Sequence, residues 1–177
     1  MRITGGDFRG RRLNIPHLPD VRPTTDRARA SLLNWLANHV DFSACRLTEL
    51  FAGSGAVSFE IISRGAQNAT CVDIQSACCR AIQSVARDWK LPVEVICADA
   101  FQFVERASPV DLVFADPPYR LPQLHSLPQK IMNSPLLAQG GLLVVEHDRT
   151  QDFGQHSCFQ ESRRYGEAVF SIFEVCN

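Results

Sequence analysis

Asp116-Pro117-Pro118-Tyr119 places a carboxylate, two prolines and an aromatic ring in consecutive positions. Proline fixes φ and carries no N–H. The pair makes a rigid turn that presents the Asp116 carboxylate and the Pro117 carbonyl as hydrogen-bond acceptors. Two such acceptors suit the two protons of an –NH2 group. Tyr119 offers a flat face to a planar ring bearing that group, a task a phenylalanine would perform as well. Asp-Pro-Pro is also an ordinary turn sequence, so its meaning depends on what accompanies it.

Its company is a second loop, Glu49-Leu50-Phe51-Ala52-Gly53-Ser54-Gly55. Glycines at a strand-to-helix turn let the backbone fold tightly and approach a ligand closely. Asp73 follows Gly55 by 18 residues, where an acidic side chain can accept both hydroxyls of a ribose. A dinucleotide enzyme would use the same elements, but the third position of that fingerprint is usually Gly or Ala and here is Ser58. Asp99 completes the set.

The elements that must position these residues alternate from residue 46 onward. Strands are expected at 47–51, 69–74, 93–97, 110–115 and 142–146. Helices are expected at 57–63, 76–88 and 123–133, the last with a kink or late start at Pro128. The run 110–115 is almost wholly apolar, as in a strand buried on both faces. Strands alternating with helices imply right-handed crossovers and a parallel sheet. The segments 158–164 and 168–175 read as a closing antiparallel hairpin. Gly53, Gly55, Asp73, Asp99, Asp116 and Glu146 all fall at carboxyl ends of strands, where such sheets bind ligands.

Upstream, 2–4 and 11–15 read as short strands of a hairpin ended by Pro16 and Pro19. Thr24 or Thr25 then caps a helix whose apolar face is Ala28, Leu32, Leu33 and Leu36. Residues 1–30 carry a net charge of +4 and residues 31–177 a net −5, giving −1 in all. A basic segment on a mildly acidic body is either a nucleic-acid footprint or a solvated hairpin.

Composition excludes other classes. The chain has 177 residues, 45% hydrophobic and 21% charged, which fits one globular domain and neither a disordered tail nor a coiled coil. No run of about 18 apolar residues spans a membrane, and the N-terminus does not read as a signal peptide. The 7 cysteines form no C-x-x-C pair, so free thiols, a cytoplasmic location and no metal are expected. The five histidines lack triad or ligand spacing and read as surface or loop residues, and Trp35 and Trp89 read as core or partly buried. Nothing demands a dimer, so a monomer is expected.

The order of glycine loop, Asp73, Asp99-Ala100 and Asp-Pro-Pro-Tyr resembles class I S-adenosylmethionine-dependent amino-methyltransferases. The start, Arg2-Ile-Thr-Gly-Gly-Asp-Phe-Arg-Gly-Arg11, is similar to that of the RsmD family. So are Arg22-Pro-Thr-Thr-Asp-Arg27, Leu32-Leu-Asn-Trp-Leu36, Leu50-Phe-Ala-Gly-Ser-Gly55 and Arg164-Tyr-Gly-Glu-Ala168. The resemblance implies a Rossmann-like α/β domain over 23–177. Its sheet would be seven-stranded and mostly parallel, with a basic hairpin extension over 1–22. It implies methyl transfer from S-adenosylmethionine to a guanine N2 in bacterial 16S ribosomal RNA or the small ribosomal subunit.

It also implies roles. Gly53, Gly55, Phe51 and Ile74 would pack against the cofactor. Glu49, where Asp is more usual, would lie near its methionine amino group. Asp73 would hold the ribose alone, because Gln75 stands where a second acid often occurs. Asp99 would hold the adenine amino group, with Ala100 beside it. Asp116, Pro117 and Tyr119 would hold the guanine, and Arg2, Arg9, Arg11, Arg12 and Arg22 would contact RNA phosphates.

Overall fold

The computed structural model describes residues 1–13 and 25–175. Its centre is one seven-stranded sheet of order β3-β2-β1-β4-β5-β7-β6. The strands are β1 (Leu47–Leu50), β2 (Ala69–Asp73), β3 (Val93–Cys97), β4 (Val110–Ala115), β5 (Leu137–His147), β6 (Phe159–Tyr165) and β7 (Ala168–Glu174). The first five run parallel, and β7 pairs antiparallel with both β5 and β6. The mostly parallel sheet and its closing hairpin are those expected.

Helices cover both faces. On one side α1 (Asp26–Leu36) and α2 (Ala56–Ser63) pack through Leu32, Leu33, Leu36 and Ile61 onto Phe114, Val144 and Ile172. On the other, Leu127 and Ile131 of α5 (Leu127–Met132) and Ala100 of α4 (Ala100–Phe103) meet Val113, Leu143 and Phe173. Alternate residues of β4 and β5 therefore enter opposite cores, which is why 112–115 and 142–145 read as unbroken apolar runs. The long helix α3 (Ser76–Trp89) covers β2 and β3. Thr25 caps α1, its side chain accepting the Ala28 N–H.

Four local expectations are refined. Pro128 gives the late start: a 3₁₀ turn at Leu124–Ser126 precedes α5, and the proline occupies its first turn, where no N–H is needed. β5 begins at Leu137 rather than 142, its pairing with β4 shifting register between Val110 and Leu112. His147 is buried in β5, its ring nitrogens bonded to the Asp148 carbonyl and the Ser171 hydroxyl, not at the surface. Among the described residues the N-terminal hairpin shows one bridge, Arg2 to Arg12, with the Ile3 N–H donating to the Arg11 carbonyl and the Leu13 N–H to the Met1 carbonyl; positions 14 and 15 of the second expected strand, Pro16 and Pro19 lie outside the described residues.

That hairpin spends its backbone on α2. The Thr4 N–H donates to the Glu60 carboxylate, the Asp7 N–H to the Ser63 carbonyl (2.8 Å), and the Phe8 N–H to the Ser63 hydroxyl (2.9 Å). Gly6 has φ +73°, and a Cβ there would lie 1.7 Å from the Ser63 carbonyl oxygen, so only glycine allows this approach. Ile3 and Leu13 are buried against Phe59, Cys71 and Ile82. Glu60 also pairs with Arg29 at 3.5 Å and Arg64 at 3.3 Å, forming a buried ionic cluster under the hairpin.

Candidate active site

β1 lies at the centre of the parallel strands. The chain builds outward from it through β2 to β3, then returns to place β4 on its other side. The crevice between the β1 and β4 carboxyl ends is the switch point where such sheets bind ligands. A cavity of about 490 Å³ opens there.

One wall is the loop after β1. Phe51 takes φ +55°, a left-handed conformation that costs a bulky residue about 1–3 kcal/mol. The turn then passes through Gly53 and Gly55, both at positive φ, and Gly55 starts α2. The loop is tied to β2: the Asp73 carboxylate accepts the Gly53 N–H and the Gln75 N–H, each at 2.8 Å. A carboxylate has about four lone-pair sites, so two backbone bonds leave capacity for hydroxyl donors. Glu49 is buried and accepts the Ser58 N–H at 2.8 Å. Burial pushes its carboxyl up from 4.5 to about 7, against the lowering effect of the Ser58 bonds and the Arg29 charge.

The opposite wall is the turn after β4. The Asp116 N–H donates to the Leu50 carbonyl, which ties the turn to β1. Pro117 is buried, Pro118 exposed and Tyr119 half-buried. The Tyr119 hydroxyl donates to Glu146 at 3.1 Å.

The cavity gathers eight of the expected site residues. Glu49, Phe51, Gly53, Asp73 and Ile74 line one side, and Asp116, Pro117 and Tyr119 the other. Gly55, Asp99 and Ala100 do not line it. A Cβ on Gly55 would press on Ile82 at 3.2 Å and Phe59 at 3.3 Å, so that glycine serves helix packing. Asp99 caps α4, accepting the Gln102 N–H at 3.0 Å, and Ala100 is buried in the core. Arg2, Arg9, Arg11 and Arg12 are exposed on the N-terminal segment. The Arg11 guanidinium lies over the rings of Phe8 and Trp89. Arg22 lies outside the described residues.

Among the lining residues that the sequence reading did not assign to the site are Arg29, Arg120 and Met1. Arg29 is 1% exposed and held by Asp26 at 2.9 Å. Its signal was present, since position 29 falls on the stripe of α1 that carries Leu32, Leu33 and Leu36. Arg120 lies exposed on the rim directly after Tyr119. Met1 has no sequence signal, because its place depends on the docked hairpin. Among the described residues the large hydrophobic side chains left exposed are Met1 and Ile74, and both line this cavity. An exposed apolar wall beside buried carboxylates suits a ligand with a planar ring, hydroxyl donors and a cationic group.

Comparison with known proteins gives the lineage. The family model described as Conserved hypothetical protein 95 matches residues 1–174. Ribosomal RNA small subunit methyltransferase D of Escherichia coli (strain K12) is 36% identical over 150 residues, covering 84% of this chain and 75% of that protein. Its namesake in Haemophilus influenzae is 28% identical over 155 residues, 84% of this chain and 79% of the relative. A hypothetical protein of Thermus thermophilus superposes with a TM-score of 0.86 at 29% identity, covering 99% of both chains. An RNA methyltransferase from Salinibacter ruber, solved with S-adenosyl-L-homocysteine, gives a TM-score of 0.69 at 16% identity over 87% of this chain and 94% of that one, a likeness of fold. The fold is that of class I methyltransferases, and the chain belongs to the Conserved hypothetical protein 95 family, which is the RsmD family its motifs resemble.

Proposed function

We propose that this protein methylates the exocyclic N2 amine of a guanine in 16S ribosomal RNA with S-adenosylmethionine as methyl donor. The observation that carries the reading is the pairing of Asp116 and Pro117 with the glycine loop across one cavity. The name of the Escherichia coli relative supports small-subunit ribosomal RNA as substrate. The S-adenosyl-L-homocysteine bound to the Salinibacter ruber enzyme supports the cofactor.

The residues present suit that cofactor. Glu49 would hold its ammonium, Asp73 its ribose hydroxyls, and Phe51 and Ile74 would flank the adenine. Bound there, S-adenosylmethionine supplies a methyl group already electrophilic through its sulfonium. The chain's task is the amine. A guanine N2 lone pair is delocalised into the ring. Accepting both N2 protons, at the Asp116 carboxylate and the Pro117 carbonyl, favours a more pyramidal and more nucleophilic nitrogen. As positive charge develops on nitrogen, the Asp116 carboxylate stabilises it, and the departing proton passes to Asp116 or to water. Tyr119 stacks on the extruded base and returns about 1–3 kcal/mol of the unstacking cost. Arg2, Arg9, Arg11, Arg12 and Arg22 would hold RNA phosphates, which position without selecting sequence.

Asp116→Ala is the test. Single-turnover methylation of small-subunit RNA at saturating cofactor should slow about 10²–10³-fold. Nucleoside mass spectrometry of the wild-type product should show N2-methylguanosine. An unchanged rate in Asp116→Ala, or N6-methyladenosine as the product, would overturn the reading.

A further inference from the structure

The turn that carries Asp116 lies outside the sheet ladder, and turns of this kind are the mobile parts of a fold. Its prolines limit the backbone, and the Leu121 N–H closes it onto the Pro118 carbonyl at 2.8 Å. Neither restraint fixes the Tyr119 ring. That is done from the neighbouring strand. Ala115 of β4 pairs with Val145 of β5, so Asp116 and Glu146 stand level, each one residue beyond that pair. Glu146 is 3% exposed and receives the Tyr119 hydroxyl at 3.1 Å.

The anchor is rigid. β5 sits between β4 and β7, and Glu146 pairs with Phe170. The next residue, His147, is fixed at both ring nitrogens. Burying a carboxylate is costly unless it is hydrogen-bonded, so Glu146 gains by keeping the phenol. The phenol has one proton, and donating it to Glu146 fixes the direction of the ring. A ring so fixed forms a wall of constant position beside the two amine acceptors, and misplacing a reacting group by about 1 Å can cost about 10² in rate.

We propose that Glu146 is a positioning residue for the methyl transfer, taking the Tyr119 hydroxyl and so holding the ring where the substrate amine meets Asp116. The role rests on the function proposed above. It revises the expectation that phenylalanine would serve at 119: the ring face survives that change, but its anchor does not.

The test has two arms. In single-turnover methylation at saturating cofactor and RNA, Tyr119→Phe and Glu146→Ala should each slow the reaction about tenfold. The double variant should be no slower than the worse single one, because both remove the same bond. Glu146→Gln keeps an acceptor oxygen and should recover most of the rate. Cofactor affinity should hold throughout, whereas a merely structural Glu146 would lower it together with stability. The second arm needs no activity. The chain has 2 tyrosines, so Tyr165→Phe leaves Tyr119 as the sole source of tyrosinate absorbance. In that background Glu146→Gln should bring the absorbance in at lower pH, since ionising the phenol no longer opposes a carboxylate. Wild-type rates in Tyr119→Phe, additive losses in the double variant, or an unmoved titration in an active enzyme would each overturn the role of Glu146 alone. A parent protein that methylates no RNA would overturn the functional reading first, and this role with it.

Discussion

Replacing Glu49 by glutamine removes a charge that the fold places at the bottom of its cavity. Burial raises the carboxyl from 4.5 to about 7, so the folded state holds its proton more tightly than the unfolded chain does. Below pH 4.5 both states are protonated and the contribution to stability is fully present. As the pH rises the unfolded chain releases its proton first, and stability falls until the folded group ionises near pH 7. Between pH 5 and pH 8 this amounts to about 2–3 kcal/mol. Glutamine can still accept the Ser58 N–H and has no proton to lose, so Glu49→Gln should lack this part of the pH dependence. Urea unfolding of the cofactor-free protein at the two pH values measures it. Other titrating groups act equally in both proteins and cancel in the difference between them. A cation in the cavity favours the ionised carboxylate, so S-adenosylhomocysteine should bind wild type about tenfold more tightly at pH 8 than at pH 6, and Glu49→Gln equally at both. Parallel pH profiles for the two proteins, in stability and in binding, would refute the account of Glu49.

Two further outcomes concern the N-terminal segment. Gly6→Ala drives a methyl into the Ser63 carbonyl at a positive-φ position, so it should lift the hairpin from α2 and speed exchange of the Asp7 and Phe8 amides. Native-state hydrogen exchange checks this, and unchanged protection would mean the backbone yields without loss. Replacing Arg9 and Arg12 together by alanine should flatten the log–log salt dependence of RNA binding by about 1.4, at about 0.7 for each phosphate of single-stranded RNA no longer neutralised. An unaltered slope would assign those arginines to the fold.

The middle of the sheet was legible because its central strands are buried on both faces. Residues 112–115 are apolar throughout because they enter two cores, and that run announces a central parallel strand. What was missed lacks a period. α4 has 4 residues, too few to display a helical stripe. The start of β5 is cut off from its apolar run by Gly140 and Gly141, through which the strand passes at a register shift. The N-terminal hairpin pairs across itself through the Ile3, Gly10 and Leu13 N–H groups, but its Thr4, Asp7 and Phe8 amides find partners on α2. The Thr4 N–H meets a buried carboxylate and the Asp7 N–H a carbonyl at a helix end. At these amides tertiary acceptors take the place of a ladder, and no local pattern encodes that choice.

The site divides in the same way. Asp73 and Asp116 could be found because one topological rule places strand ends together, and Glu49 only through the family resemblance. Arg29 could not be assigned from topology, since its role comes from what surrounds it. It donates to the Arg2 carbonyl and Asp26, pairs with Glu60, and lines the cavity near Glu49, whose carboxyl it helps to ionise. Glu60 in turn holds Thr4. The basic segment and the cavity therefore meet in one ionic cluster, and breaking its fully buried Arg29–Glu60 pair strands a charge at a cost of about 3–5 kcal/mol. The hairpin and the cavity floor thus share one network of ion pairs and hydrogen bonds.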